Sequence, residues 1–235
     1  MDIKALQLAA RFALPPNSLG FCGRRSAPAR FTECIKQNKY EGIKEELEKF
    51  IVFNPYLETI KKITKDEKFC YKNIEAYWLG NERLEMATKN DYFNLLINFS
   101  KQGVPEWLVK ELKNKVPKVF LPFHLFQLLH VGVERAGGMI QNNLDSLNNC
   151  MARWGRVAKI TNNKIEIDLW SIGKKAGRYS LIKMKEKCDW EPEITPEVKK
   201  GSLVAVHWKQ VVKTLDLRER QNLKYWTEQT VKYAL

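Results

Sequence analysis

The sequence predicts an α+β protein: a helical N-terminal part, then a small antiparallel, OB-like β-barrel that ends in a helix. Three observations predict it. Up to about residue 149, apolar residues recur at helical spacing between Pro, Gly and Asn punctuation. At Cys150 the period changes to two, polar alternating with apolar. Near the end, Asp216 opens a last amphipathic stretch. The chain therefore divides into a helical domain, 1–149, and a barrel domain with its C-terminal helix, 150–235.

Ile3 to Leu14 reads as the first helix, stopped by Pro15-Pro16-Asn17. Residues 40–51 set Ile43, Leu47, Phe50 and Ile51 on one stripe with acids and lysines opposite. Further helices fit 55–62, 66–78, 91–102 and 105–115, with Asp91 and Pro105 where helix starts favour them. A long helix over 122–147 begins apolar and ends rich in amides. Residues 156–161 and 164–170 alternate on either side of Asn162-Asn163, a pair that tolerates the positive φ of a tight hairpin. Residues 178–184 and 202–208 make two further strands, and strands this short suit a small barrel. Asp216 caps the final helix, with Leu217, Leu223, Trp226 and Thr230 near one face.

Composition narrows the function classes. The 235 residues are 44% hydrophobic and 29% charged, which is a folding composition and not a disordered one. The longest apolar run, 119–131, contains a proline, a glutamine and two histidines, well short of the ~20 apolar residues of a membrane span. Arg11 interrupts the N-terminal apolar stretch, so a secretory leader is not expected and a cytoplasmic protein is. Five cysteines (Cys22, Cys34, Cys70, Cys150, Cys188) without a C-x-x-C pair argue against a disulfide framework or a zinc ribbon. The net charge is +13. Before residue 150 there are 22 basic and 17 acidic residues, and from there on 18 and 10, so the barrel part is the more basic. Such charge suits nucleic acid, an acidic protein partner or simply a lysine-rich proteome, and alone does not decide among them.

No Walker loop, G-x-G-x-x-G, H-E-x-x-H or G-x-S-x-G is present. Of the three histidines, His124 and His130 lie six apart, about 240° around a helix, so they cannot grip one metal as an i,i+4 pair does. They read as capping or core-edge imidazoles. Their helix runs on toward Cys150, which puts a site at the domain junction within reach.

The segment Cys150-Met151-Ala152-Arg153-Trp154-Gly155-Arg156-Val157 resembles the opening of the HypC/HupF family of hydrogenase maturation chaperones, Met-Cys-Leu-Ala-Ile-Pro-Gly-Lys/Arg-Val. A second stretch, Lys200-Gly201-Ser202-Leu203-Val204-Ala205-Val206-His207-Trp208, is similar to that family's Gly-Asp-Tyr-Val-Leu-Val-His-Val-Gly strand. Together they cover roughly residues 149–228. The resemblance implies a barrel whose Cys150 is the thiolate ligand of an iron precursor, with His207 supporting the same site. It also implies a maturation scaffold protein and an immature hydrogenase large subunit as partners. Arg153 and Arg156 beside the thiol are expected to lower its pKa from about 8.5. In this chain the cysteine is internal, Trp154 stands where the family has proline, and Trp208-Lys209 stands where it has glycine.

The stretch from Ala10 to Gly23 resembles the Ala-Arg-Phe/Tyr-Ala-x-Pro-Pro-Asn-x-Leu-Gly-Phe/Tyr-Cys-Gly opening of an uncharacterised prokaryotic family, which ends in the same Arg-Trp-Gly segment. Its two prolines and two glycines shape a loop that brings Cys22 toward Cys150 as a second thiolate. The expected function is an accessory or maturation chaperone for a nickel–iron hydrogenase, carrying iron or binding the large-subunit precursor through Cys150. Cys22, His207, Arg153, Trp154, Gly155, Arg156, His124 and His130 are the surrounding candidates. The alternatives are a basic barrel that binds nucleic acid and an enzyme with Cys22 or Cys150 as nucleophile and a histidine as base.

Overall fold

The computed structural model describes residues 2–133, 135, 140–162 and 164–233. Asp2 starts α1 (Ile3–Ser18) by accepting the backbone N–H of Ala5 at 3.1 Å. Contrary to expectation, α1 does not stop at the prolines but carries Pro15 and Pro16 in its last turn. A proline there removes the bond to the carbonyl four residues back, so Arg11 and Phe12 lose their usual helical donors.

The helical part continues with α2 (Ala27–Gln37), α3 (Ile43–Glu48), α4 (Phe53–Thr64), α5 (Tyr71–Trp78), α6 (Lys89–Gln102) and α7 (Glu106–Asn114). The helix expected over 40–51 shrinks to α3, because Gly42 enters it with φ 72° and Lys49 and Phe50 turn back onto Glu46 and Leu47. The one expected over 66–78 starts only at Tyr71, since Lys65 takes φ 60° and ends α4. Thr88 and Asp91 form the reciprocal cap of α6.

The long helix expected over 122–147 is replaced by two short ones. The first, α8 (His124–Phe126), runs into a π-helical turn, Gln127–Val131, that ends at Gly132 with φ 105°. The second, α9 (Leu144–Cys150), has its own cap, with the Asn143 side chain accepting from Ser146 N at 2.8 Å. Residues 134 and 136–139 of that expected helix lie outside the described residues.

Five strands close into a barrel: β1 (Arg153–Thr161), β2 (Lys164–Lys175), β3 (Arg178–Asp189), β4 (Leu203–His207) and β5 (Gln210–Thr214), in the order β1-β2-β3-β5-β4. The expectation of an antiparallel barrel is corrected at one seam, where β3 and β5 run parallel at Asp189 and Gln210. An odd number of strands cannot alternate in direction around a closed ring, so one parallel neighbour is unavoidable. In the first hairpin Asn162 takes φ 52°, as expected, while Asn163 lies outside the described residues. Asn148 ties α9 to β2 by bonding both backbone groups of Ile172, at 2.8 and 2.7 Å.

Asp216 and Glu219 cap α10 (Leu217–Tyr233) reciprocally, at 2.7 and 3.2 Å. This helix returns to the helical part, where Trp226 lies on Gly80 and Arg218 reaches the buried Glu75 at 2.7 Å. One apolar core runs from α1 through α4, α5 and α6 to Trp154, Ala205 and Trp226. A second, smaller cluster, with Val157, Ile167, Leu169 and Val206 among its members, fills the barrel. No helix among the described residues is long and apolar enough to cross a membrane.

Candidate functional site

Cys150 closes α9, and His207 closes β4. Between β4 and β5, Trp208 and Lys209 form a two-residue turn with φ 50° and 58°, a conformation that suits Asn and Gly far better than Trp. Trp208 is held there by its N–H on Asn149 O at 2.7 Å and by its ring against Phe21, centroids 4.5 Å apart. The turn thus sets β4 against the end of α9, side by side with Cys150.

The imidazole of His207 is fixed from the helical part: its Nδ1–H donates to Phe12 O at 2.7 Å. That carbonyl is free because Pro16, four residues on, has no N–H to give it. Among the described residues, the buried His207 Nε2 has no hydrogen-bond partner. His124, the first residue of α8, faces Cys150 O through Nε2 at 2.8 Å and Tyr77 Oη through Nδ1 at 2.9 Å. A carbonyl only accepts, so Nε2 carries the proton and the Tyr77 hydroxyl donates to Nδ1. Cys150 Sγ lies 3.9 Å from His124 Nε2, and the donor atoms of His124, Cys150 and His207 all fall within 4.8 Å of one another. Trp78 forms the floor, its ring centroid 4.5 Å from His124, 5.3 Å from His207 and 4.8 Å from Phe12.

A cavity of about 520 Å³ opens beside the cluster, lined by Phe21, Cys22, Phe50, Tyr77, Trp78 and Gln127 among others. The loop after α1 therefore does bring Cys22 to the wall of the cavity that Cys150 shares. Cys22 stands outside the three-donor cluster.

Burial dominates the electrostatics. Loss of water, then the nearby His207, lowers the pKa of His124 to about 3, and loss of water lowers that of His207 to about 4. Both rings are neutral at physiological pH. Burial, then the neighbouring Cys22, holds the Cys150 thiol well above its usual range, against a smaller opposing effect of Trp208. Cys22 is pushed up to about 11 by burial.

The expected lowering of the Cys150 pKa by Arg153 and Arg156 is thereby corrected. Arg153 is buried in a two-pronged pair with Glu186, at 2.6 and 3.2 Å, and donates to Ser171 Oγ. Arg156 donates to Gly201 O at 2.7 Å. Trp154 is core, stacked on Trp170. Gly155 lets β1 and β2 approach, for a Cβ there would lie 2.4 Å from Asp168 O. His130 is apart from the cluster: its Nε2 meets Tyr92 Oη at 3.0 Å, and it lines a separate 280 Å³ pocket with Lys115, Arg135 and Lys174.

Burial keeps both imidazoles neutral and the thiol protonated, so Cys150 must lose its proton to act either as a metal ligand or as a nucleophile. Tyr77, Trp78 and the Phe12–Pro16 pair are site residues that sequence reading did not single out. The spacing of Pro15-Pro16 four residues after Arg11-Phe12 marks the freed carbonyls, once the helix is known to continue.

The sequence pattern of one family matches residues 2–234, the family of unknown function DUF6390. The chain belongs to this family. The match takes in both the Ala10 to Gly23 stretch and the Arg-Trp-Gly segment, as a resemblance to an uncharacterised family over the whole chain implies. No curated protein and no solved structure matches the chain.

Proposed function

We propose that this chain is an accessory protein in the maturation of a nickel–iron hydrogenase, carrying iron or binding the large-subunit precursor through Cys150, without turnover of its own. The observation that carries the reading is spatial. Cys150 and His207 belong to the two separate HypC/HupF-like motifs, and they face one cavity. A thiol that stays protonated until cargo arrives suits a carrier that must also release what it holds. Iron is cargo here, and its remaining ligands come from diatomic molecules or from a partner.

The test is to purify the tagged chain anaerobically from its native cells, as wild type and as Cys150→Ala. Wild type is expected to bring down iron with infrared bands of bound CO and cyanide, or the large-subunit precursor. Cys150→Ala is expected to lose both while keeping its circular dichroism. A folded variant that retains both, or a wild type that brings down neither, would sink the proposal.

A further inference from the structure

We infer that His124, Cys150 and His207 are the three protein ligands of one divalent first-row metal ion, a site completed within this chain by its own helical part, with a fourth position open to the cavity. The inference deepens the reading above and rests on it for the identity of the cargo, not for the ligand set.

Distances come first. A tetrahedral ion with nitrogen at 2.0–2.1 Å and sulfur at 2.3 Å spaces its donors about 3.3–3.6 Å apart. Here the His124–Cys150 pair is at 3.9 Å and all three donors lie within 4.8 Å, so shifts of about 1 Å or less bring them onto one ion.

The second observation is the orphan nitrogen. His207 is 1% exposed, and among the described residues its Nε2 lone pair has no hydrogen-bond partner, an arrangement that costs free energy unless something fills it. Its other nitrogen donates to a backbone carbonyl, the outer contact that fixes the tautomer of a metal-bound imidazole.

His124 must exchange tautomers to join. Its proton moves from Nε2 to Nδ1, where Tyr77 Oη changes from donor to acceptor, a change that a phenol can make without leaving its place. Nε2 then leaves Cys150 O for the metal. The ring stays neutral throughout, and the one proton lost to solvent is that of the Cys150 thiol. A set of two imidazoles and one thiolate favours Zn²⁺, Fe²⁺ or Co²⁺ over Mg²⁺ or Ca²⁺.

The experiment is a Co²⁺ titration of the purified, metal-free full chain under argon, following the sulfur-to-cobalt charge-transfer band and the visible bands of tetrahedral cobalt. One equivalent is expected to bind. Tyr77→Phe removes only an outer contact and should weaken binding about 10–100-fold. His124→Gln should weaken it further. X-ray absorption of the zinc-loaded wild type should count one sulfur and two imidazole nitrogens, a readout that needs no variant to fold. A wild type without the charge-transfer band at saturating Co²⁺, a folded His124→Gln that binds as tightly as wild type, or a zinc shell lacking two imidazoles overturns the assignment. A chain that binds Co²⁺ this way but never brings down iron or a hydrogenase precursor would retain the site and lose the hydrogenase reading.

Discussion

Pro16 shapes the site at one remove. By withholding an N–H from Phe12 O it leaves that carbonyl to His207 Nδ1, and so keeps the ring's lone pair on Nε2. Pro16→Ala restores a competing donor at little cost to the helix. We expect the fold to hold or tighten while Co²⁺ affinity falls about tenfold, the scale of an outer-contact loss; unchanged affinity would deny Pro16 this positioning role. His130 gives a different kind of test. Its pKa is lowered to about 4, by burial first and then by Lys115, against about 6.5 in the unfolded chain. The pocket it lines adds Arg135 and Lys174, the former paired with Glu111, and burial holds the nearby Tyr92 hydroxyl above its usual pKa. Between pH 6.5 and 4 the unfolded state takes up a proton that the folded ring refuses. The stabilisation is therefore whole above 6.5 and declines as pH falls toward 4. Urea midpoints at several pH values in that window should fall less steeply for His130→Gln than for wild type. Equal slopes would locate the acid sensitivity elsewhere.

Among the elements, Gly155 shows how a motif residue can serve the scaffold of a site. It sits where β1 passes β2, with Asp168 O, Ile167 and Leu169 all within 3.0 Å of any added Cβ. Gly155→Ala should therefore cost about 1–3 kcal/mol in chemical denaturation. Gly177→Ala meets nothing within 4 Å and bears only its φ of 79°, so it should cost about 1 kcal/mol. A Gly155→Ala protein as stable as wild type would show that the strands can part there. The same physics explains what the sequence made legible. β1 and β2 were readable because buried and more exposed positions alternate along much of their length, which writes a period of two into the chain, and β4, buried at its last four residues, was readable as a short apolar run. β5 was not, because five residues with Val211 and Val212 both buried hold no alternation. α2 was hidden by the loop signals around it, Gly20, Gly23 and Pro28. The prolines of α1 hide a helix because the use of Pro16 is tertiary: it frees the Phe12 carbonyl that His207 takes.

At the scale of the whole molecule, two of the three donors were legible in short motifs, Cys150 and His207. His124 was reachable only as a neighbour of the junction. Its partnership depends on how α8 lies against α9 and β4, a contact no local pattern records. That contact belongs to a core that does not pause at residue 150: α1 shares it with Trp154, Ala205 and Val212, and α10 returns Trp226 to Gly80. Arg11 adds bonds from α1 to the carbonyls of Ile194 and, at 3.4 Å, Val212. Parts sharing one core should lose it together, so thermal unfolding is expected as one transition, with helical dichroism and tryptophan fluorescence coincident and calorimetric and van't Hoff enthalpies equal. Gly80→Ala, which would press a Cβ to 2.3 Å from the Trp226 ring at φ 79°, should lower that single midpoint and split nothing. For a chain of this size each kcal/mol moves the midpoint about 2–4 °C. Because the donors come from α8, α9 and β4, saturating Zn²⁺ should raise the same transition for both probes. Two separate transitions, or a rise confined to one probe, would mean that the helical part and the barrel hold their structure independently.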